Sequence, residues 1–314
     1  MNTSVRLARA SDYPAIASLL NAREDGDHQV EAGELERFDE RWVGHDAAFR
    51  RVVGVTDGFI VATGYICASW GERTEPGHYW LNIAVPPDRP RQAIDVAVFD
   101  DLYRSVGGSA RELWTCTRED HAQHLTYLDR RGFAERFRSW GAHLELDAFD
   151  ASRWTGLVER LVAEGVRLVL YAELHGDPER DEKLMALQDA LEEDVVHFEP
   201  IVPKRIGDVI GPETILEALV VAVVPDGNYV GLACLLGSQS DASIGCGLTG
   251  VLPAYRRRGI ATALLARTAE IAKRLGAEEL NSGGGGGADA AIVRASRAIG
   301  FDVEPPWVTY SKVL

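Results

Sequence analysis

The stretch Arg256-Arg257-Arg258-Gly259-Ile260-Ala261 has the residue types needed to hold a phosphate ester. Guanidinium groups offer fork-shaped donors to phosphate oxygens. Gly259 lets backbone approach a ligand with no Cβ in the way, and Ala261 stays small for the same reason. Ile260, Leu264, Leu265, Ala269, Ile271, Ala272 and Leu275 recur at helical spacing, so the hexapeptide opens an amphipathic helix. The first turn of a helix, which here includes Thr262, leaves N–H groups unpaired at the positive end of the macrodipole. Convergent donors at that point suit a pyrophosphate. A basic, solvated helix start is the plainer alternative. The apolar strand expected at 244–251, immediately upstream, favours the phosphate reading.

The surrounding pattern supplies that strand and its neighbours. Residues 217–224 and 229–237 read as two strands joined by the turn Pro225-Asp226-Gly227-Asn228. Gly276 closes the helix as a C-cap glycine. Residues 278–281 begin another strand, and the pentaglycine run 283–287 is expected to be a loop. A second helix is expected over 290–298 and a last strand over 307–314. A strand–helix–strand–helix–strand passage favours a sheet with a parallel portion and helices on its faces.

The amino-terminal half repeats this order. Val85 matches Val251, Leu113 matches Leu280, Gly132-Phe133 matches Gly300-Phe301, and Trp140 matches Trp307, at offsets of 166, 167, 168 and 167. Nearly constant offsets point to an internal duplication. The expected architecture is of the α+β class, in a three-layer α/β arrangement. Two tandem domains, 1–150 and 151–314, each hold a mixed central sheet flanked by helices. Aligned on the repeat, Arg256 becomes Pro90, Gly259 becomes Ala93 and Ala261 becomes Asp95. Proline removes a donor and aspartate repels an anion, so the first copy is expected not to bind the ligand. Tyr79, Trp80, Trp114 and Trp140 read as core aromatics.

Composition narrows the class. The formal net charge of −15 over 314 residues disfavours nonspecific nucleic-acid binding and suits a cationic, amine-bearing partner. The start MNTSVRLARASDY shows no export pattern, and no apolar run reaches membrane-spanning length. The expected setting is therefore the cytoplasm. Cys67, Cys116, Cys234 and Cys246 are scattered without metal-ligand spacing, so no metal is expected. Neither a Walker pattern nor G-x-G-x-x-G follows a strand, which speaks against a nucleotide-binding fold.

With these residues in view, the segment resembles motif A of the GCN5-related N-acetyltransferase (GNAT) superfamily, Gln/Arg-x-x-Gly-x-Gly/Ala. Arg256, Gly259 and Ala261 stand at its specified positions. The preceding Val-x-Pro, the Gly-Phe at 300–301 and the final strand are similar too. The resemblance implies an acetyl-CoA-dependent N-acetyltransferase of the tandem type. It implies that the strand before the turn splays from its neighbour, leaving backbone at Gly250, Val251 and Leu252 for the pantetheine arm. Arg256, Arg257, Arg258, Gly259, Ile260, Ala261 and Thr262 would then hold the pyrophosphate. Asn281 either bonds the pantetheine amides or is simply a strand-end residue.

Two family positions differ. Counting back from Gly300, the usual Asn is Asp289, which reads as a helix N-cap. The usual Tyr general acid is Ser296, a candidate donor to the leaving thiolate with a helix-surface serine as its alternative. A base for the acceptor amine is sought among Glu192, Glu193, Asp194 and His197, with Glu193 and Tyr310 carried as candidates beside Ser296. The implied acceptor is a small amine, and the chain is a monomer or homodimer. The rival is a non-catalytic acyl-CoA-binding or regulatory protein. Gly259→Asp is expected to abolish acetyl-CoA binding with the fold intact.

Overall fold

The structure is a computed structural model that describes residues 3–22, 30–45, 48–68, 77–85, 94–195, 210–211, 213–237, 242–286 and 291–314. Pro90, Ala93, His197, Gly287 and Asp289 lie outside these residues. The chain divides into two compact units, Met1–Phe137 with Trp307–Leu314, and Arg138–Pro306.

In the first unit, β1 (Thr3–Leu7), β2 (Arg50–Thr56), β3 (Phe59–Ala68) and β4 (His78–Ala84) run antiparallel in sequence order. Beside β4 lies β5 (Glu112–Arg118), parallel to it. Helices α1 (Tyr13–Asn21), α2 (Ala32–His45), α3 (Ile94–Val106) and α4 (Ala122–Arg130) complete the unit. In the second, β6 (Ala134–Glu145) leads to α5 (Thr155–Ala163), β7 (Arg167–Leu170) and α6 (Arg180–Glu192). Then follow β8 (Val220–Val223), β9 (Tyr229–Leu236), β10 (Ser243–Val251), α7 (Ile260–Leu275), β11 (Glu279–Gly285), α8 (Ala291–Ile299) and β12 (Asp302–Val303). The sheet order is β6-β11-β10-β9-β8-β7, with β12 on β6. Both units are mixed sheets with helices, as the repeat requires. Glu217 and Ala218, at the start of the strand expected over 217–224, lie instead in a 3₁₀ turn (Leu216–Ala218) before β8.

Two expectations are corrected. A cut at 150/151 would leave each half its own last strand. Instead the chain's final strand, β13 (Trp307–Val313), pairs antiparallel with β5, with Val308 opposite Thr117. Its repeat counterpart β6 pairs with β11, with Leu144 opposite Leu280. Strands from one duplicated position carry similar pairing patterns, so exchanging them costs little. The pentaglycine run is the second. Gly283, Gly284 and Gly285 extend β11 opposite Gly141, Trp140 and Ser139 rather than forming a loop. A Cβ on Gly283 would lie 2.9 Å from the Trp140 carbonyl oxygen, and one on Gly284 would lie 3.4 Å from Trp140 Nε1. Glycine in a strand marks such close backbone approach.

Candidate active site

In the second unit, β10 and β11 start side by side and part. Their parallel register covers Ser243–Glu279, Ile244–Leu280 and Gly245–Asn281, and then stops. Beyond that point β10 follows β9 to Val251 while β11 follows β6 to Gly285. Among the described residues, the parting leaves one edge of β10 without a strand partner. The N–H of Leu252 bonds the Val230 carbonyl at 2.9 Å, so this peptide faces β9. Peptides along a strand alternate. Val251 is therefore turned to the open edge, and its carbonyl accepts Arg256 Nε–H at 2.9 Å. The first unit repeats the device, since β4 and β5 share only His78–Glu112, Tyr79–Leu113 and Trp80–Trp114.

The turn after β10 is shaped for an anion. A 3₁₀ turn at Pro253–Tyr255 leads to Arg257, whose φ is +62°, and to Gly259, whose φ is +89°. A non-glycine residue in the left-handed region stores on the order of 1–3 kcal/mol, and such strain clusters at ligand clamps. Gly259 caps α7, whose first turn holds Ile260, Ala261 and Thr262. Ile260 is buried and anchors the helix in the core. Arg256, Arg257 and Arg258 are exposed, and Ala261 and Thr262 are half-buried. Helix α5 backs the turn: a Cβ on Gly259 would lie 2.8 Å from Leu157 Cδ1, and Arg160 Nη2 donates to the Arg258 carbonyl at 3.4 Å. The Arg258 guanidinium sits over the Tyr255 ring at 5.4 Å. Gly259 is thus demanded by its φ and by Leu157 as well as by any ligand. A bulky Gly259→Asp change strains the turn itself, contrary to the expectation of an intact fold.

The remaining candidates separate. Arg256 also pairs with Asp194 just beyond the end of α6, so that carboxylate is engaged by a guanidinium. Glu193 is the exposed C-cap of α6, and Glu192 accepts from Gln188 Nε2 at 2.8 Å. Gly250 packs under α6, where a Cβ would lie 2.9 Å from Leu191 Cδ2. The Asn281 amide donates to Ser243 Oγ and to Glu279 Oε1, at the closed end of the parting strands. Ser296 is fully buried, and its hydroxyl donates to the Ile292 carbonyl at 3.1 Å, one turn back in α8. It is neither a helix-surface serine nor a free donor. Tyr310 rides on β13 into the first unit and packs on that unit's core, because β13 pairs with β5. It therefore leaves the set that the second unit assembles.

Sequence reasoning missed Thr249. Its Oγ1 is enclosed and, among the described residues, has no hydrogen-bond partner. Leaving a buried hydroxyl unsatisfied costs about 1–3 kcal/mol. The only signal was a threonine in an apolar strand. Nearby, Cys246 faces Ser282, and burial pushes its thiol up to about 12. In the first unit Asp95 is buried in the first turn of α3, with Oδ1 accepting the Val96 N–H at 2.7 Å. A carboxylate there meets the positive helix end that an anion would use. Trp114 and Trp140 are core, as expected, while Tyr79 and Trp80 are half-buried. A cleft of about 330 Å³ lined by His143, Glu145, Asp150, Arg153, Trp154 and Asp302, among others, shares no residue with the turn.

The family model described as acetyltransferase (GNAT) family matches residues 186–286, from within α6 through β11 and past its end. Residues 186–286 belong to the GNAT family. This GNAT domain contains the parting strands and the Gly259 turn. Three solved structures are similar over 99% of the chain. A GCN5-related N-acetyltransferase from Sphaerobacter thermophilus is 21% identical, with TM-score 0.73 and 95% of its own chain covered. A tandem GNAT protein from the clavulanic acid biosynthesis pathway is 12% identical, with TM-score 0.61 and 98% covered. A glucosamine N-acetyltransferase region of a fungal multi-domain GH3 β-N-acetylglucosaminidase is 13% identical, with TM-score 0.66, and the match covers 38% of that chain. These likenesses establish the fold of the whole chain, two GNAT-like units. No curated protein sequence matches. Among the described residues no helix is long and apolar enough to cross a membrane.

Proposed function

We propose that the second unit is an acetyl-CoA-dependent N-acetyltransferase that transfers acetyl directly to a small amine. The observation that carries this reading is the parting of β10 from β11 past Gly245 and Asn281, leading straight into the left-handed Gly259 turn. Acetyl-CoA supplies an activated acyl thioester and a leaving thiolate. The first-turn N–H groups of α7 and the guanidiniums of Arg256, Arg257 and Arg258 bind its pyrophosphate. Of the three residues Gly250, Val251 and Leu252, Val251 alone offers its backbone to the pantetheine arm along the open edge of β10, because Leu252 bonds Val230 and Tyr255 and Gly250 is turned to β9. Arg256 Nε–H holds the Val251 carbonyl, and the Val251 N–H, which leaves the strand on the same side, points to the edge as an oxyanion donor. Asn281 braces the closed end through Ser243 and Glu279, and Glu193 stands as the candidate base on the α6 side. Ser296 is committed to the Ile292 carbonyl and takes no part as the acid.

The first unit, with Asp95 at its helix start, is read as a partner that binds no acetyl-CoA. The net charge of −15 suits a cationic amine, and the four free cysteines suit a reducing compartment such as the cytoplasm. The test is calorimetric titration with acetyl-CoA, followed by thiol release across an amine panel. Binding with turnover on at least one amine supports the reading. Binding without turnover on any favours the acyl-CoA-binding alternative, and absence of binding rejects both.

A further inference from the structure

A cleft of the second unit is bordered by charges of both signs that do not pair with one another. One wall is sheet: His143 and Glu145 are two apart on β6 and share a face, and Asp302 of β12 stands opposite His143. The other wall is the 3₁₀ turn Ala151–Trp154, which carries Arg153 and has Asp150 as its N-cap. Leu144, Phe149 and Ile299 are buried and give the cleft an apolar floor beside the half-buried Trp154. Its volume of about 330 Å³ lies at the small end of the about 300–1,000 Å³ usual for ligand clefts. Glu145, Asp302 and Arg153 are exposed, and among the described residues none of them is in an ion pair or a side-chain hydrogen bond. Hydrogen bonds from Ser152 hold the Asp150 carboxyl below the usual carboxylate range, and the Arg153 charge adds to this without an ion pair between them. The cleft is distinct from the acceptor side of the parting strands. Glu145 lies opposite Glu279, the first residue of β11, and so at the closed end. The open edge of β10 runs the other way, toward Val251 and the Gly259 turn.

We propose that this cleft is a second binding site, for a free amino acid with an apolar side chain. The ammonium group faces Glu145 and Asp302 on the sheet wall, and the carboxylate faces Arg153 on the turn wall. The side chain lies on the floor of Leu144, Phe149 and Ile299 and on Trp154. A guanidinium suits a carboxylate because its paired N–H groups match two oxygens, and a carboxylate accepts from any of the three ammonium protons. A ligand with only a carboxylate meets repulsion from Glu145, Asp150 and Asp302. A ligand with only an ammonium gains nothing from Arg153. Both signs are therefore needed to use both walls, which is how a site rejects the wrong ligand as well as holding the right one. No bond is made or broken, and acetyl-CoA takes no part, so the proposal stands apart from the acetyltransferase reading.

The test is calorimetric titration of the full chain, without acetyl-CoA, with L-phenylalanine and L-leucine. Each is compared with its amine-only and acid-only analogue: phenethylamine and 3-phenylpropionate for the first, isopentylamine and 4-methylpentanoate for the second. The expected result is saturable binding of at least one of the two amino acids. Its amine analogue binds about 10-fold more weakly, and its acid analogue more weakly still. Arg153→Gln lowers the affinity of the amino acid about 10-fold, to that of its amine, and leaves the amine where it was. Glu145→Gln combined with Asp302→Asn weakens amino acid and amine alike. These side chains are exposed, so the melting temperature without ligand should hold in both variants. An unchanged affinity in Arg153→Gln places the ligand elsewhere and overturns the proposal. Equal binding of amino acid and amine by the wild type, or no binding of either amino acid, overturns it too. Failure to bind acetyl-CoA bears on the acetyltransferase reading alone.

Discussion

Ala261→Asp separates the anion site from the fold. Ala261 is the second residue of α7 and half-buried, and its repeat counterpart Asp95 holds the same place in α3. A carboxylate in the first helical turn is favourable to the helix by about 0.3–1 kcal/mol, so the free protein should melt no lower. Facing a pyrophosphate, the same carboxylate is repulsive. Two unit charges about 4 Å apart interact by about 4 kcal/mol at an effective dielectric near 20. Solvent around the half-exposed Ala261 and salt screening bring this to about 2 kcal/mol. At about 1.4 kcal/mol per tenfold, CoA affinity should drop roughly 30-fold. Ala261→Asn adds nearly the same bulk without charge and should lose far less. Calorimetric titration with CoA reads the affinity, and a thermal melt without ligand reads the fold. Equal CoA affinity in Ala261→Asp and wild type would refute the placement of the pyrophosphate at this turn.

Gly259→Ala puts a Cβ at φ +89° and 2.8 Å from Leu157 Cδ1, so it should destabilise by about 1–2 kcal/mol in chemical denaturation, whatever it does to binding. An unchanged denaturation midpoint would show that the turn tolerates a side chain. Gly283→Ala sets a Cβ 2.9 Å from the Trp140 carbonyl and should cost about 1–3 kcal/mol in the same measurement. A true loop glycine would show no such loss. Cys246, with its thiol pushed up to about 12 by burial, should resist alkylation of the native protein at pH 8 and react once unfolded. An unfolded thiol near 8.5 lies below the folded value, so its contribution to stability is full below about pH 8.5 and fades as pH rises toward 12. Peptide mass spectrometry showing equal native and unfolded modification rates would contradict the burial.

Local pattern was enough for much of this protein. Ile260 to Leu275 reads as one amphipathic helix because its apolar spacing is helical, and Gly276 ends it at φ +92° as a C-cap glycine should. The basic Gly259 turn was legible because its chemistry sits in consecutive residues. The repeat was legible because duplicated landmarks keep their offsets. Other features depend on partners distant in the chain. Pentaglycine looks like a flexible connector, and only the β6 ladder and the Trp140 ring explain why Gly283 to Gly285 form a strand. Similar strands at equivalent repeat positions allow more than one pairing, so the exchange of β6 and β13 was decided in three dimensions, and with it the removal of Tyr310 from the second unit. Ser296 could not be judged from spacing, because its hydroxyl is committed to a carbonyl one turn away. The face taken by Thr249 could not be read either, because one extra residue in β10 shifts its register against β9. The sequence alone determined which segment offers the charge and the helix end that suit an anion, since both lie in consecutive residues. Tertiary structure decided which partners each hydroxyl and carboxylate meets, since that follows from register and burial.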